Sequence, residues 1–329
     1  MKTFQKIALL LALICTVVLL AACQQQVPST NGSGNGDNNG SSNGNQAQTT
    51  CANGHTPGEW VVDKPATADE AGQRHRSCTV CGALESEQIA KLTPSEGLAY
   101  QVNGDGTTCT ITGIGTCTDT ALVIPQTIDG YTVTAIGVQA LEKRPLVSVV
   151  IPDSVKSIGE AAFFLCSNLK SVEIGNGIES IGASAFTYCN SLTRVVIEDI
   201  AAWCSISFGD YTANPLRYAN HLYLGENEIT ELVIPDGVTS IGNYAFFCCT
   251  GLTSVVIDDS VRIIGEGAFE SCAELASVYY LGTANGWISL SIGSSNSKLT
   301  SATRYYYSAS EPTTAGKYWR YVNGVPTAW

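Results

Sequence analysis

The chain has 329 residues, with 17 basic and 29 acidic side chains and a formal net charge of −12 at pH 7. So acidic a chain is a poor partner for nucleic acid, whose phosphates bind basic patches. Charged residues make up only 14% of the sequence and glycines number 32, which favours a fold with many turns and an uncharged polar surface.

The N-terminus has the features of an export signal. Lys2 and Lys6 precede an uncharged run at residues 7–22, which is short for a membrane span of about 20 residues. A lipoprotein signal peptide is therefore predicted for residues 1–22. Leu20–Cys23 resembles a bacterial lipobox, which implies that Cys23 carries a lipid at the mature N-terminus. An ordinary signal peptide with a chance cysteine is the alternative.

Residues 23–50 are predicted to comprise the lipidated cysteine and a disordered tether. Gly, Asn, Ser and Gln dominate this segment, and no large apolar residue follows Val27. Such a composition cannot bury enough surface to offset the entropy of ordering. We therefore expect an exported protein, anchored through Cys23 to the bacterial cell membrane and facing outside.

A small metal-binding module is predicted over residues 51–93. Its potential ligands form two close pairs, Cys51 with His55 and Cys78 with Cys81. Two such pairs suit tetrahedral zinc, and four protein ligands would leave no open position, so the zinc would be structural. The pattern resembles a zinc ribbon, a small β module.

Two alternatives to the zinc site stay open. In an exported chain Cys78 and Cys81 can form a disulfide, or Cys51 can pair with one of them. His55 can also be an incidental surface residue, with His75 as the ligand in its place.

Residues 94–117 are predicted to form an N-terminal cap hairpin. Tyr100–Val102 and Thr108–Ile111 flank a turn at Asn103–Gly106, which is a hairpin signal. Ile114 stands where a calcium loop requires glutamate, so calcium is excluded there. The hairpin would cover the first open strand edge of the following repeats.

Residues 118–281 repeat one pattern at a spacing of 23 residues. Ile151 recurs as Ile174, and Phe163 recurs as Phe186. A fixed period of this length is typical of a solenoid, in which stacked units cover one another's apolar faces. Alternating apolar residues predict a short strand in each unit, followed by a turn and then a single helical turn or irregular segment.

The repeated elements are L-x-x-V-x-I-P, V-x-x-I-G and A-F-x-x-C, and they resemble the BspA-like leucine-rich-repeat family of bacterial cell-surface proteins. The resemblance is close over Leu122–Tyr280 and looser beyond. It implies a right-handed, β-rich α/β leucine-rich-repeat solenoid. Members of that family are associated with adhesion and partner binding, not with catalysis.

An atypical unit at residues 198–228 interrupts the repeats, and a similar unit opens the segment 282–329. Trp203 in the first unit is matched by Trp287 in the second, which indicates a partial duplication. The remaining segment is aromatic.

The aromatic segment is predicted to cap the last repeat with a hairpin of Tyr305–Tyr307 and Tyr318–Val322. The alternative is that Trp319 and Trp329 bind carbohydrate.

The cysteines of the repeats fall into two groups. Those that recur at one repeat position are predicted to be a buried structural spine: Cys166, Cys189, Cys249 and Cys272. No role is predicted for the others: Cys109, Cys117, Cys204 and Cys248.

Catalysis has little support in the sequence. No motif of nucleophilic, metalloprotease or phosphate-binding chemistry is present, and His221 is the single mature histidine besides His55 and His75. We therefore predict no catalytic residues and no enzyme. A glycan-active extracellular enzyme and a passive structural spacer are the alternatives.

Binding is predicted on the outward face of the stacked strands, because residues between the inward positions must point out. An apolar stripe with polar edges is typical of a partner site, although β-branched residues also favour strands for their own sake. We expect an extracellular protein or glycan to bind there. The predicted face comprises Val150, Glu173, Arg194, Val196, Glu231, Val233, Val256 and Tyr279.

Overall fold

The computed structural model describes residues 55–64, 66–67 and 70–329. The predicted signal peptide, the lipidation site Cys23, the tether and the predicted ligand Cys51 lie outside the described residues. Within the described part of the chain, no helix is long and apolar enough to cross a membrane.

The first described element is a three-stranded antiparallel sheet of β1 (Val61–Lys64), β2 (Gly72–Ser77) and β3 (Leu84–Ile89). Trp60 lies between two guanidinium groups, those of Arg74 and Arg76, each 4.5 Å from its ring centroid. Both arginines also pair with glutamates on β3. Cation–π contacts and ion pairs thus hold this small sheet together, in place of a large apolar core.

A hairpin follows, formed by β4 (Ala99–Val102) and β5 (Thr108–Gly113). Asp105 shapes its turn, because its Oδ1 accepts hydrogen bonds from the backbone N–H groups of Thr107 and Thr108, each 2.8 Å away. These bonds and one from the Thr108 hydroxyl lower the pKa of Asp105 to about 2. β5 pairs in parallel with the first repeat, so the hairpin covers that strand edge.

The repeat region contains twenty further strands and four short helices. In chain order the strands are β6 (Ala121–Val123), β7 (Thr127–Ile128), β8 (Tyr131–Ile136), β9 (Ser148–Ile151), β10 (Ser157–Ile158), β11 (Ser171–Ile174), β12 (Ser180–Ile181), β13 (Arg194–Ile197), β14 (Ser207–Phe208), β15 (Leu222–Leu224), β16 (Asn227–Glu228), β17 (Glu231–Val233), β18 (Ser240–Ile241), β19 (Ser254–Ile257), β20 (Ile263–Ile264), β21 (Ser277–Tyr280), β22 (Ser291–Ile292), β23 (Thr303–Tyr307), β24 (Tyr318–Val322) and β25 (Val325–Ala328). The helices are α1 (Ile200–Ser205), α2 (Leu216–Ala219), α3 (Ala284–Ile288) and α4 (Ser297–Ser301).

The longer strands stack into two main sheets. The first main sheet has the order β16-β15-β13-β11-β9-β6, and the second has the order β17-β19-β21-β23-β24-β25. Ser148 pairs in parallel with Ser171, and Ser171 pairs with Arg194, so equivalent positions of successive repeats lie side by side. Two further sheets have the orders β14-β12-β10-β8-β5-β4, with β7 paired to β8, and β18-β20-β22. Apart from β4, β5 and β8, their strands have two residues each. The result is a strand-dominated repeat fold.

The core of the stack is built from columns of identical residues. Phe163 stacks on Phe186 at 5.0 Å between ring centroids, and Phe246 stacks on Phe269 at 5.3 Å. All four rings are fully buried. Each repeat therefore contributes one ring that covers the ring of its neighbour.

The cysteine column is also buried, and its thiols are free. Cys166, Cys189 and Cys272 each donate through Sγ to a backbone carbonyl of the preceding repeat, at 3.1 to 3.3 Å. Burial raises the pKa of the Cys166 thiol to about 11, which keeps it protonated and able to donate. These cysteines act as small apolar residues with one weak donor.

The segment after each two-residue strand is irregular, which is the second of the two predicted alternatives, and is not a helical turn. Ala161 and Leu165 have left-handed backbone angles, with φ of 53° and 61°, and Ser184 and Tyr188 repeat them in the next unit. The N–H groups of Ala161, Phe163 and Leu165 bond to carbonyls of the next repeat instead of to their own turn. An intrahelical i−4 bond is therefore not formed here, and the turns make a second hydrogen-bonded ladder.

The two atypical units carry the helices. Asp199 caps α1, and Thr283 caps α3 at the matching place; each side chain accepts a backbone N–H of the first turn. Buried asparagines complete both units: the Nδ2 of Asn214 donates to the Tyr244 carbonyl at 2.7 Å, and that of Asn296 donates to the Gly265 carbonyl at 2.8 Å. These side chains replace backbone partners where the repeat pattern departs.

The stack of main strands is not continuous, so the apolar stripe predicted on the outward face is divided. The first atypical unit adds its own strand, β15, which pairs Tyr223 with Val196. β15 then turns back into β16, with Tyr223 opposite Glu228. Within the described part of the chain, β16 and β17 are edges of separate sheets. The hairpin ends the first main sheet, because an antiparallel return strand occupies the next position.

The C-terminal cap differs from the predicted hairpin of residues 305–307 with 318–322. β23 and β24 pair in parallel, with Tyr307 opposite Trp319. The hairpin lies instead between β24 and β25, where Asn323 and Gly324 have φ of 51° and 82°. Asn-Gly is the usual sequence of such a tight turn, since both central residues need positive φ.

Candidate functional site

The described ligands of the predicted metal site come together. The ligand atoms of His55, Cys78 and Cys81 all lie within 4.8 Å of one another, and His55 Nδ1 is 3.2 Å from Cys81 Sγ. Atoms that each lie about 2.0–2.3 Å from one zinc ion have separations of this order. One imidazole and two thiols are also the donors that zinc prefers, so this cluster fits the metal.

The backbone around the two cysteines forms a tight turn. The Cys78 N–H donates to the Ala83 carbonyl at 2.8 Å, and the Gly82 N–H donates back to the Cys78 carbonyl at 2.9 Å. Gly82 has a φ of 74°, which glycine adopts without strain. This turn brings both thiols to one side, toward His55.

The alternative ligand, His75, is engaged elsewhere. It lies in the middle of β2, and its Nδ1 is 2.5 Å from Asp63 Oδ1 on β1. The group of described residues whose geometry could hold a metal ion contains His55 and not His75.

The structure divides the predicted binding face between the two main sheets. Val150, Glu173 and Val196 are adjacent in register on the first sheet, and we call them the first row. Val233, Val256 and Tyr279 are adjacent in register on the second sheet and form the second row. Of the polar edge residues, Arg194 borders the first row and Glu231 the second.

Exposure along these rows is uneven. Val233 is 47% exposed at the free edge of the second sheet, but Val196 is only 8% exposed and Val256 is 2% exposed. Val196 is covered because its register neighbours are the longer side chains of Glu173 and Tyr223. Arg194 stacks on the Tyr223 ring at 4.1 Å and pairs with Glu226 at 2.7 Å. Contacts among neighbouring side chains therefore cover much of the apolar surface of the first row.

Glu173 is a half-buried acid in the middle of the first row. Burial, followed by the negative charges of Glu198 and Glu226, raises its pKa to about 7, although Arg194 partly offsets them. A carboxyl group between two valines is poorly solvated, which favours its neutral form. This position therefore changes charge near neutral pH.

The second row continues into a cluster of aromatic rings. Tyr279 stacks on Tyr305 at 5.2 Å between centroids. Trp319 is enclosed by Tyr279, Tyr307 and Tyr321, at 4.9 to 5.4 Å. We call Tyr279, Tyr305, Tyr307 and Tyr321 the tyrosine cluster; its rings are part-exposed around the buried indole.

Of the two terminal tryptophans, Trp319 is enclosed and Trp329 is 40% exposed. Trp319 is fully buried, and its Nε1 donates to the Tyr280 carbonyl at 3.0 Å. Trp329 is stacked by Arg320 at 3.9 Å, and its Nε1 donates to the Ser308 carbonyl. The carbohydrate-binding alternative is wrong for Trp319, because its ring is inaccessible.

Sequence reasoning did not place Tyr305, Tyr307 and Tyr223 on the outward rows. Tyr305 and Tyr307 alternate with the part-buried Tyr306, a period of two that could have placed them on one face. Tyr223 lies in the atypical unit, where the repeat pattern gives no register.

The fold and its outward face define a leucine-rich-repeat protein that presents a sheet surface. The chain matches the family model described as "BspA type Leucine rich repeat region" as six copies, over residues 125–212 and 219–303. These ranges make up more than half of the chain, so the chain belongs to this family.

Solved structures that resemble the chain are bacterial leucine-rich-repeat proteins. The Treponema pallidum leucine-rich-repeat protein is 26% identical over 62% of this chain and 86% of its own, with a TM-score of 0.39. One from Bacteroides capillosus is 28% identical over 42% and 94%, with a TM-score of 0.32. A leucine-rich cell surface protein from Faecalibacterium prausnitzii is 23% identical over 60% and 71%, with a TM-score of 0.27. A search of curated proteins gave no match.

Proposed function

We propose that the protein is a lipid-anchored bacterial surface protein whose repeat solenoid binds an extracellular protein or glycan, without catalysis. The observation that carries the proposal is the part-exposed tyrosine cluster on the outward face of the second main sheet, in the same row as the exposed Val233 at the sheet edge. Tyrosine side chains supply large contact areas at little cost in conformational entropy. Part-exposed tyrosines on a rigid sheet are typical of a partner site.

The second sheet is the better-supported half of the face. Its row is uncharged from Val233 to Tyr307, with Glu231 at its border, whereas the first row contains Glu173 and is bordered by Arg194 in an ion pair with Glu226. A partner therefore meets rings and a valine there, without having to desolvate an ion pair.

The experiment is a binding screen of residues 24–329, which omit the signal peptide and the lipidation site Cys23, against a panel of matrix proteins and glycans. The double variant Val233→Lys, Tyr305→Lys should lose binding to the partner found, because it places two charges on the contact. The matched control is Val138→Lys, an exposed valine outside both rows. Retained binding by a folded double variant would move the site elsewhere, and an empty screen would favour the passive spacer.

The anchor is supported by the sequence at residues 20–23, after a run without charge. In cells, Cys23→Ala should shift the protein from the membrane fraction to the medium or leave it unprocessed. Mass spectrometry of the native N-terminus provides the direct test, and an unlipidated mature cysteine would contradict the anchor.

A structural zinc in the module is the remaining part of the proposal. Cys51, His55, Cys78 and Cys81 would hold it, and the clustering of the last three supports this assignment. The zinc would fix the turn at Gly82 onto the segment that carries His55. It would stabilise a sheet that has little apolar core of its own.

A further inference from the structure

A cleft of about 360 Å³ lies beside the second main sheet, where β19, β21 and β23 end. Polar groups line much of it: Asp259, Arg262, Tyr280, Thr283, Ser289 and Tyr307. Val261, Leu281 and Leu290 supply an apolar part of the wall. A volume of this size is within the range of small-molecule sites.

Tyr280 is the central feature of the cleft. The residue is only 2% exposed, and among the described residues its hydroxyl has no hydrogen-bond partner although it borders the cleft. The hydroxyl oxygen is not fully enclosed, in contrast to the ring that carries it. It therefore reaches the surface of the cleft, where it can bond a polar group that enters.

Two glycines make room for this phenol. A Cβ on Gly282 would lie 2.6 Å from a ring carbon of Tyr280, and a Cβ on Gly286 would lie 3.1 Å from its hydroxyl oxygen. Gly286 lies inside α3, where glycine costs stability relative to alanine. The space around the hydroxyl is kept open at the expense of helix stability.

The first atypical unit offers an internal comparison. Its matching cavity is about 10 Å³, which is no larger than a water molecule requires. There Ile197 stands at the place of Tyr280, and Ala202 at the place of Gly286. The same unit is thus closed and apolar in one copy, and open with a hydroxyl in the other. Packing of the repeat does not require the cleft, because the first copy packs without one.

The chemistry of the lining indicates the ligand class. The Asp259 carboxylate and the Arg262 guanidinium bring one charge of each sign, so the cleft favours neither an anion nor a cation. The hydroxyls of Tyr280 and Tyr307 can exchange hydrogen bonds with a polyol, and the Tyr307 ring and Leu290 offer apolar contact to C–H groups. Burial raises the pKa of Tyr280, so its hydroxyl stays a neutral donor.

We propose that this cleft binds one ring of a neutral saccharide, with the Tyr280 hydroxyl bonded to a sugar hydroxyl. A pyranose combines hydroxyls around its rim with an apolar C–H face, which matches the mixed lining. The cleft adjoins the tyrosine cluster through Tyr307, but its other lining residues lie outside that cluster. The inference therefore stands whether or not the sheet face binds a partner.

The test uses residues 24–329, which omit the signal peptide and Cys23, with methyl glycosides of glucose, galactose, mannose and N-acetylglucosamine as neutral probes and a methyl sialoside as the anionic probe. Saturation-transfer NMR should show saturable binding of at least one of them. Tyr280→Phe keeps the ring and removes the hydroxyl, so the Kd should rise about three- to tenfold, as for the loss of one hydrogen bond. Gly286→Ala should raise it at least about tenfold, because the methyl group fills the site beside the hydroxyl.

Ala202→Gly is the matched control, since it makes the reciprocal change in the closed copy and should leave sugar binding unchanged. Thermal melts establish that each variant is folded. If Gly286→Ala does not fold, Tyr280→Phe decides, because it keeps the shape of the ring. The proposal is overturned if no neutral glycoside binds, if folded Tyr280→Phe binds as the wild type does, or if anionic sialoside binds better than every neutral probe.

Discussion

The indole Nε1 of Trp203 donates a hydrogen bond to the backbone carbonyl oxygen of Ala245, 2.8 Å away. Trp203 lies in the first atypical unit, and Ala245 lies in the next regular repeat, beside the core ring of Phe246. The Nδ2 of Asn214 approaches the same carbonyl at 3.2 Å. Side chains of the atypical unit therefore supplement the backbone bonds from Gly242 to Cys204 and from Thr250 to Asn220, and together they connect the two halves of the solenoid where the main sheets separate.

Trp203→Phe tests this connection. The variant removes the indole donor and part of the ring, so we expect a lower free energy of unfolding, measured by urea denaturation. Trp287→Phe is the control, because it loses the same volume at the matching position. The Trp203 variant should be about 1 kcal/mol less stable than the control, the usual net value of one hydrogen bond. Equal losses of unfolding free energy in the two variants would mean that the volume of the ring, and not the hydrogen bond to Ala245, stabilises this junction.

The phenylalanine column predicts a large core effect. Phe186 is fully buried and stacks on Phe163, so Phe186→Ala should lower the free energy of unfolding by about 3 to 5 kcal/mol. The loss should extend to adjacent repeats, since each repeat is stabilised by its neighbours. Tyr188→Ala is the surface control, because Tyr188 is largely exposed. Hydrogen exchange across the repeats measures the spread, and a loss below about 1 kcal/mol would contradict the core role.

The regular part of the fold could be predicted from the sequence because its units repeat. Identical residues such as Phe163 and Phe186 must have equivalent surroundings in stacked units, so their burial followed from spacing alone. The family was equally accessible, since its motifs lie in the regular units. The hairpin at β4 and β5 was marked by a Gly-rich turn.

The features that differ from the regular repeat pattern could not be predicted, because each depends on local backbone conformation, which the spacing of residues does not reveal. The left-handed angles at Ala161 and Leu165 carry no glycine signal. The antiparallel turn from β15 into β16 divides the outward face, and nothing in the repeat pattern requires it. The cleft at Tyr280 became visible only when the two atypical units could be compared in three dimensions. At the predicted metal site, the sequence left His55 and His75 as alternatives, and the structure places His55 beside Cys78 and Cys81.

Glu173 predicts a pH dependence of stability. Its pKa is raised from 4.5 to about 7 in the folded protein, so the folded state binds more protons than the unfolded state between these values. The stabilisation is fully present below about pH 4.5 and is lost as the pH rises through 7. At most about 3 kcal/mol is involved, at 1.36 kcal/mol per pH unit.

Glu173→Gln removes this titration while keeping the shape of the side chain. The stability difference between the variant and the wild type should therefore grow in favour of the variant from pH 4.5 to 8, as measured by urea denaturation at each pH. The groups around Glu173 that also bear charge are Arg194, Glu198, Glu226 and Asp153, and they are present in both proteins. A difference that does not change with pH would show that Glu173 titrates normally.

The zinc site predicts a metal content that depends on particular cysteines. Elemental analysis of the mature chain, purified without chelator, should give about one zinc per molecule, as for a closed four-ligand site. Cys78→Ser should abolish zinc binding, because the serine hydroxyl is a far weaker ligand than a thiolate. Cys117→Ser is the matched control, since Cys117 is a part-exposed free thiol outside the module, and it should keep the metal.

Chelation should unfold the sheet of β1, β2 and β3 and leave the repeats intact, which hydrogen exchange can resolve. A metal-free protein whose mass is lower by two protons would instead establish a disulfide between module cysteines and end the zinc proposal.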